Sequence, residues 1–406
     1  MFLKKNFDSK VILIIILLVY LINYIFFSLR FFQRYNPYIA ADWLINYQGG
    51  FVRRGFLGEI SLQLSNLLNF SLINIAFFFN LIFCIFFVFY FFLIQKKKIN
   101  LIYLFFLISP LTLLFSIYDP FAVGRKEILI FFYFCFYIFC QKKNFIYKNY
   151  LLIIFAFFFT LTHELFAFYI IYIFFIKYFL IKKKDIKFYN IEIIIFLSSW
   201  FSLFLIYLFG YRVNSDILCN SLIEKGISPN ICIGTINEYK NSTINILKPI
   251  TEYFKSFNYY SQYFKSYILG IIPALLILKF NEDKIKNNFI IIFLAVPVLV
   301  TIPIFLVTND WGRYINIHFM IYLIFFSQIN FNNIFFLKKI NIIFIFIMLI
   351  IYSLFWHMPH CCQKDLGKGI ISIKERIFFR ISDNHFNKVY GEDKVLDFIK
   401  NNLIFK

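Results

Sequence analysis

The chain has 406 residues, of which 61% are hydrophobic, 23% aromatic and only 15% charged. A soluble domain carries about 25% charged residues, so a soluble globular class is excluded. The formal net charge of +20 does not indicate nucleic acid. The lysines follow apolar stretches in short runs (QKKK at 95–98, QKK at 141–143, KKK at 182–184, KK at 338–339), as in loops on the cytoplasmic side of a membrane, and not as the basic face of a nucleic-acid-binding domain.

The composition predicts an all-α polytopic membrane protein of about 11 spans, within a range of 9–12, each needing roughly 17–25 apolar residues. The first span is predicted at 11–29. Its apolar stretch exceeds the 7–15 residues of a signal-peptide core and no small-residue cleavage site follows, so it reads as retained, with its N-terminus in the cytoplasm. Residues 30–71 form a polar external insert. Within it, ISLQLSNLLNFSL has helical spacing and is expected along the membrane interface. Further spans are expected near 72–94, 101–118 and from 128 to 141. The block 150–181 has lysine-rich ends, so it must cross twice or form a re-entrant hairpin turning at Thr162-His163-Glu164. A single long tilted helix is the competing reading. The remaining spans are placed near 191–210, 266–280, 289–307, from 314 to the NFNNIFFLKK stretch, and 341–356. The longest external loop runs from about 211 to 265. The transmembrane domain is thus 1–356, followed by a short external tail, 357–406, with an amphipathic helix expected in its last fifteen residues.

This topology, set by lysine runs alone, puts Asp42, Arg53, Arg54, Asp119, Arg125, Glu127, His163, Glu164, Asp310 and Arg313 on one outer side. Positive charge is scarce there in most membrane proteins, so these arginines are candidate functional groups. ADWLINYQGGFVRRGFLGE, at 41–59, is the stretch around which the others gather. Asp42 reads either as a catalytic carboxylate or as a hydrated aspartate beside an interfacial Trp43. Arg53 and Arg54 present planar forks that match phosphate or carboxylate, or lipid headgroups. In YDPFAVGRKE, Asp119-Pro120 is a turn, while Arg125 and Glu127 fall on different faces of the helix start. An Asp119–Arg125 charge pair is the plainer reading. His163 and Glu164 interrupt an apolar block, where ionisable groups default to a functional hypothesis. In NDWGRY, Asp310 and Arg313 stand at i, i+3 and either pair or serve a ligand. His318 reads as structural.

HExxH, CxxC, Walker A and GxSxG motifs are absent from the sequence. No cofactor is expected, although a divalent cation stays open. His357, His360, Cys361 and Cys362 form a compact group of soft ligands. Cys219 and Cys232 fit a periplasmic disulfide.

At motif level, Asp42, FVRRG, GRKE, His163-Glu164 and DWGR resemble features of the bacterial multi-span glycan enzymes, namely O-antigen or capsule polysaccharide polymerases and GT-C-type membrane glycosyltransferases. The resemblance implies a bacterial inner-membrane enzyme of the cell envelope acting at the outer face on polyprenyl-(di)phosphate-linked sugars. It implies catalytic roles for Asp42, His163, Glu164 and Asp310. Substrate binding would fall to Arg53, Arg54, Asp119, Arg125, Glu127 and Arg313, with Trp43 and Trp311 stacking on sugar. The expected partners are the lipid-linked saccharide and the bilayer. A transporter or flippase of an anionic or lipid-linked substrate is the alternative. The sequence carries no information on oligomeric state.

Overall fold

The computed structural model describes residues 9–95, 101–143, 146–181, 190–210, 213–240, 257–279, 284–306, 308, 310–328, 347–348, 350–359 and 369. Among them the regular structure is helical, with no β-strand. Three helices are long and apolar enough to cross a bilayer: α1 (Ser9–Gln33), α4 (Leu72–Ile94) and α11 (Asn190–Phe209). Each leaves an apolar face uncovered. Ile15 and Ile22 on α1, Phe78 and Phe89 on α4, and Leu197 and Phe204 on α11 are exposed, as suits helices facing lipid, where backbone polar groups must be satisfied internally.

The centre is built differently. Helix α7 (Ile128–Lys142) is buried on nearly every face, and in α15 (Trp311–Phe326) every residue after Trp311 is buried. Around this pair stand α8 (Lys148–Thr162), α9 (Phe166–Tyr169), α10 (Tyr172–Ile181), α13 (Phe257–Lys279) and α14 (Lys284–Leu306). The block 150–181 is two short helical runs, not one long helix. The chain breaks at His163, and α10 returns toward the far end of α7, where Lys177 Nζ donates to Gln141 Oε1 at 2.9 Å. Of the span expected at 341–356, the described part is helical at 347–348 and 350–354. Most of the tail, including its expected amphipathic helix, and His360, Cys361 and Cys362 lie outside the described residues; His357 stacks on Tyr118 at 5.6 Å.

Two expectations need correction. The predicted 101–118 span is discontinuous: α5 covers only Leu101–Leu107 and α6 only Phe115–Tyr118. Pro110 lacks an N–H and disfavours helix at the residue before it. Side chains serve the carbonyls released there: Thr112 Oγ1 donates to Phe106 O at 2.5 Å, and Asn316 Nδ2 of α15 donates to Leu111 O at 2.8 Å. The insert also holds more structure than expected, with α2 (Ala40–Leu44) fully buried and α3 starting earlier, at Phe56, and ending at Leu68.

Hydrogen bonds fix which helix ends share a side. Ile94 O, at the end of α4, accepts from Lys142 Nζ of α7 at 2.9 Å and from Gln328 Nε2 just past α15 at 3.2 Å. Glu192, near the start of α11, receives Tyr137 of α7 at 2.7 Å and Lys177 of α10 at 3.0 Å. The opposite ends of α7, α8 and α15, with the end of α1, carry the insert and the polar turns. The 213–240 stretch covers the insert there. Asn214 N donates to Gly49 O at 2.8 Å and Thr235 N to Pro37 O at 3.0 Å. A Cys219–Cys232 disulfide ties α12 (Ser215–Ile223) to the 3-10 turn at Pro229–Cys232.

Candidate functional site

Local backbone chemistry sets each polar turn. Asn36 Oδ1 accepts from Tyr38 N and Ile39 N at 3.0 and 2.9 Å, opening the chain into α2 and Asp42. Asp119 Oδ1 accepts from Phe121 N at 3.1 Å and starts the turn ahead of α7. Gly124 follows at φ +77°, a left-handed conformation that suits a residue without Cβ. A Cβ there would also crowd Ile39 and Ser28. The Gly124 carbonyl accepts from Trp43 Nε1 at 2.7 Å and from Asn80 Nδ2 of α4 at 3.1 Å. That double clamp aims Arg125, Lys126 and Glu127 from the start of α7. Arg54 also sits left-handed, at φ 67°, an uncommon state for a side-chain-bearing residue. Its carbonyl accepts from Lys126 Nζ at 2.8 Å.

Four separated stretches then join in one chain of ion pairs. Arg54 forks onto Glu164, with Nη2 at 2.7 Å from Oε1 and Nε at 2.9 Å from Oε2, and its Nη1 reaches Asp42 Oδ1 at 3.4 Å. Arg53 Nη1 approaches Glu164 at 3.7 Å. His163 stands between Glu127, 3.8 Å from Nε2, and Glu164, 3.9 Å from Nδ1. Arg313 links Glu127 at 3.5 Å to Asp310 at 2.9 Å. The order is Asp42, Arg54, Glu164, His163, Glu127, Arg313, Asp310. Asp42 is 4% exposed, His163 2% and Glu127 6%, so these charges interact in a medium of low polarity.

Burial alone would keep the carboxyls protonated. For Asp42, Lys126 and Arg54 overcome that and hold its pKa below the ordinary aspartate value. For Glu164 the opposing group is chiefly Arg54, and for Glu127 chiefly Arg313; both stay well below the usual glutamate range. Burial works against a charged His163, yet the flanking Glu127 and Glu164 win and raise its pKa above 6.5. Lys126 is fully buried, and burial outweighs Asp42 to push its pKa down to about 8.

Below this layer lies a pocket walled by α1, α7, α15 and the 112–122 stretch. Its empty volume, open mouth included, is about 430 Å³. Tyr20, Tyr24, Phe115, Phe131 and Met320 make its greasy side, and Arg125, Glu127, Arg313 and Asn316 its polar one. Glu127 Oε1, Arg313 Nε and both ring nitrogens of His163 are buried without a hydrogen-bond partner. Buried polar atoms of native proteins are normally paired, and exceptions mark functional sites.

The candidates read from the sequence divide. Asp42, Arg53, Arg54, Glu127, His163, Glu164, Asp310 and Arg313 are brought together. Arg125 stands at the pocket, donating from Nε to Phe121 O at 3.1 Å and from Nη1 to Tyr38 O at 2.9 Å; Asp119 caps a turn. Trp43 is a correction: it is 1% exposed and holds Gly124, so it neither anchors at an interface nor offers a stacking face. Trp311 Nε1 donates to Phe305 O and Thr308 O at 2.8 and 3.0 Å. His318 is held at both nitrogens, by Tyr172 at 2.6 Å and Thr301 at 2.9 Å, as befits a structural residue.

Sequence reading missed Lys126, Tyr239 and the pocket walls. Lys126 carried a signal, being a lysine on the lysine-poor side. Tyr239 donates to Arg53 O at 3.0 Å, and the Arg53 guanidinium lies 5.4 Å from its ring centre. Among the described residues no three of His, Cys, Asp and Glu group as metal ligands. The arrangement is suited to holding an anion and to moving a proton along Glu127, His163 and Glu164. Comparison of the chain with family models, curated proteins and solved structures returns no match.

Proposed function

We propose that this chain is a membrane glycosyltransferase or polysaccharide polymerase, acting on polyprenyl-(di)phosphate-linked sugars at the outer face of a bacterial inner membrane, with about eleven spans. One observation carries the reading. A buried histidine stands between two carboxylates, in an arginine-rich layer directly above a pocket that is greasy on one side and polar on the other. Glycosyl transfer from a lipid phosphate needs those parts: a proton acceptor, cations for the leaving phosphate, and a wall for the lipid stem.

Glu127 faces the pocket and accepts a hydrogen bond from the acceptor hydroxyl. His163 behind it takes the proton, its raised pKa suiting transfer near neutral pH. The hydroxyl oxygen bonds to the anomeric carbon, the bond from that carbon to phosphate oxygen breaks, and the electron pair leaves with the phosphate. The arginines stabilise that charge with donors already in place. Asp42, read from the sequence as a catalytic carboxylate, is on this view a positioning residue: it contacts Arg54 and does not line the pocket.

The test is reconstitution of the purified chain with a polyprenyl-diphosphate sugar, following release of the carrier diphosphate. His163→Gln is expected to lower turnover by about 10²–10⁴-fold. Retained turnover in that variant overturns the proton-transfer role. Passage of intact carrier across the bilayer without diphosphate release overturns the enzyme reading in favour of a transporter.

A further inference from the structure

The arginines of the site are not equivalent. Arg54 is consumed by its fork on Glu164 and its contact with Asp42. Arg53, 39% exposed at its side chain, lies over Tyr239 and near Glu164. Arg125 differs. Its guanidinium donates to two main-chain carbonyls, Phe121 O and Tyr38 O, and among the described residues it forms no ion pair. Burial and the neighbouring cation Arg313 lower its pKa, outweighing Asp310, Glu127 and Asp42. Both cations line the same pocket, where Arg313 Nε is buried without a hydrogen-bond partner. The carboxylate in that pocket, Glu127, is already taken up by Arg313 and His163. The pocket therefore holds one half-buried cation with no carboxylate in ion-pair contact among the described residues, a group that an anionic ligand can reach.

We propose that this pocket is the seat of the lipid carrier's phosphate, with Arg125 and the free edge of Arg313 gripping the anion while the first part of the apolar stem lies against Tyr20, Tyr24, Phe115, Phe131 and Met320. The inference rests on the lipid-linked substrate proposed above, and it moves phosphate recognition from the FVRRG arginines to the GRKE arginine. Asn316, held by the main chain of Leu111 and Thr112, makes the floor rigid.

The test is binding, not turnover. The full chain in detergent is titrated with farnesyl diphosphate, inorganic pyrophosphate and farnesol, reading the shift in thermal unfolding temperature. Farnesyl diphosphate is expected to stabilise the wild type at the lowest concentration, pyrophosphate more weakly, and farnesol not at all. Arg125→Gln removes the cation, and Met320→Phe narrows the greasy wall without touching a charge. Each is expected to weaken farnesyl diphosphate binding at least about tenfold, a loss of about 1.4 kcal/mol. Glu192→Gln, at the far end of the bundle, is expected to bind as the wild type does. Should Arg125→Gln fail to fold, Met320→Phe decides. Wild-type affinity in Met320→Phe, or farnesol binding as tightly as its diphosphate, overturns the proposal. Binding without turnover on any glycan lipid removes the enzyme reading and leaves the seat standing; turnover with unaltered binding in both pocket variants removes the seat alone.

Discussion

At one end of the bundle a single carboxylate oxygen, Glu192 Oε1, collects Tyr137 at 2.7 Å, Lys177 at 3.0 Å and Gln141 at 3.4 Å, and Lys177 also donates to Gln141 Oε1 at 2.9 Å. At the other end seven charged or titratable side chains run in series from Asp42 to Asp310, several at 3.4–3.9 Å, with unpaired atoms at His163, Glu127 and Arg313. Both clusters are buried. The first draws three donors onto one oxygen, leaves Oε2 without a hydrogen-bond partner, and ties α7, α10 and α11 together. The second is loosely spaced and borders a pocket. A buried charge, or one unpaired atom, is thus no sign of function by itself: short, convergent contacts describe a clasp, and long contacts strung along a pocket describe a site.

The contrast can be broken by substitution, most forcefully at Arg54. Arg54→Ala leaves Glu164 without its main counter-ion and Asp42 without the second of its two, and removing one partner of a buried pair costs about 3–5 kcal/mol. A large fall in thermal unfolding temperature in detergent is the expected outcome, with partial recovery in Arg54→Lys. Replacing Cys219 and Cys232 by serine comes next. A closed loop of this length contributes about 3 kcal/mol, and its loss is expected to free the 213–240 cover, read as faster proteolysis there while the helices stay protected. Glu192→Gln sharpens the comparison from the other side. It is expected to cost about 1–3 kcal/mol and to leave turnover per folded molecule unchanged; a turnover defect there would erase the distinction between clasp and site.

The smallest expected effect is a slope. Because the folded-state pKa of His163 lies above 6.5, the stability contributed by its charged ring is complete below that value and is lost as pH rises through the folded pKa. Unfolding temperature is expected to fall as pH rises above 6.5 and through the folded-state pKa of His163. His163→Gln is expected to flatten that fall.

Much of this architecture was legible in the residues. The 72–94 span coincides with α4, and lysine runs alone gathered the polar turns correctly onto one end, because loop charge and span length are local properties of the chain. The break at Pro110 was legible too, but hydropathy averaged over a window hid it. The pocket was not legible. Tyr20 and Tyr24 sit on a long apolar helix, and only packing, against Phe87 and Asn80 of α4, separates an inward tyrosine from a lipid-facing one. Nor was the role of Trp43, which depends on a carbonyl 81 residues away.

The interrupted segment after α5 has a consequence for how the protein is made. The break at 108–114 separates Leu101–Leu107 from the short helix at Phe115–Tyr118, so the carbonyls between them need partners from elsewhere in the chain. Thr112 O accepts locally from Phe115 N at 3.0 Å, but Leu111 O is served by Asn316, more than two hundred residues later in the chain. Until α15 is made, Leu111 O lacks that donor and the pocket lacks Arg313, Asn316 and Met320, so the site is completed late in synthesis.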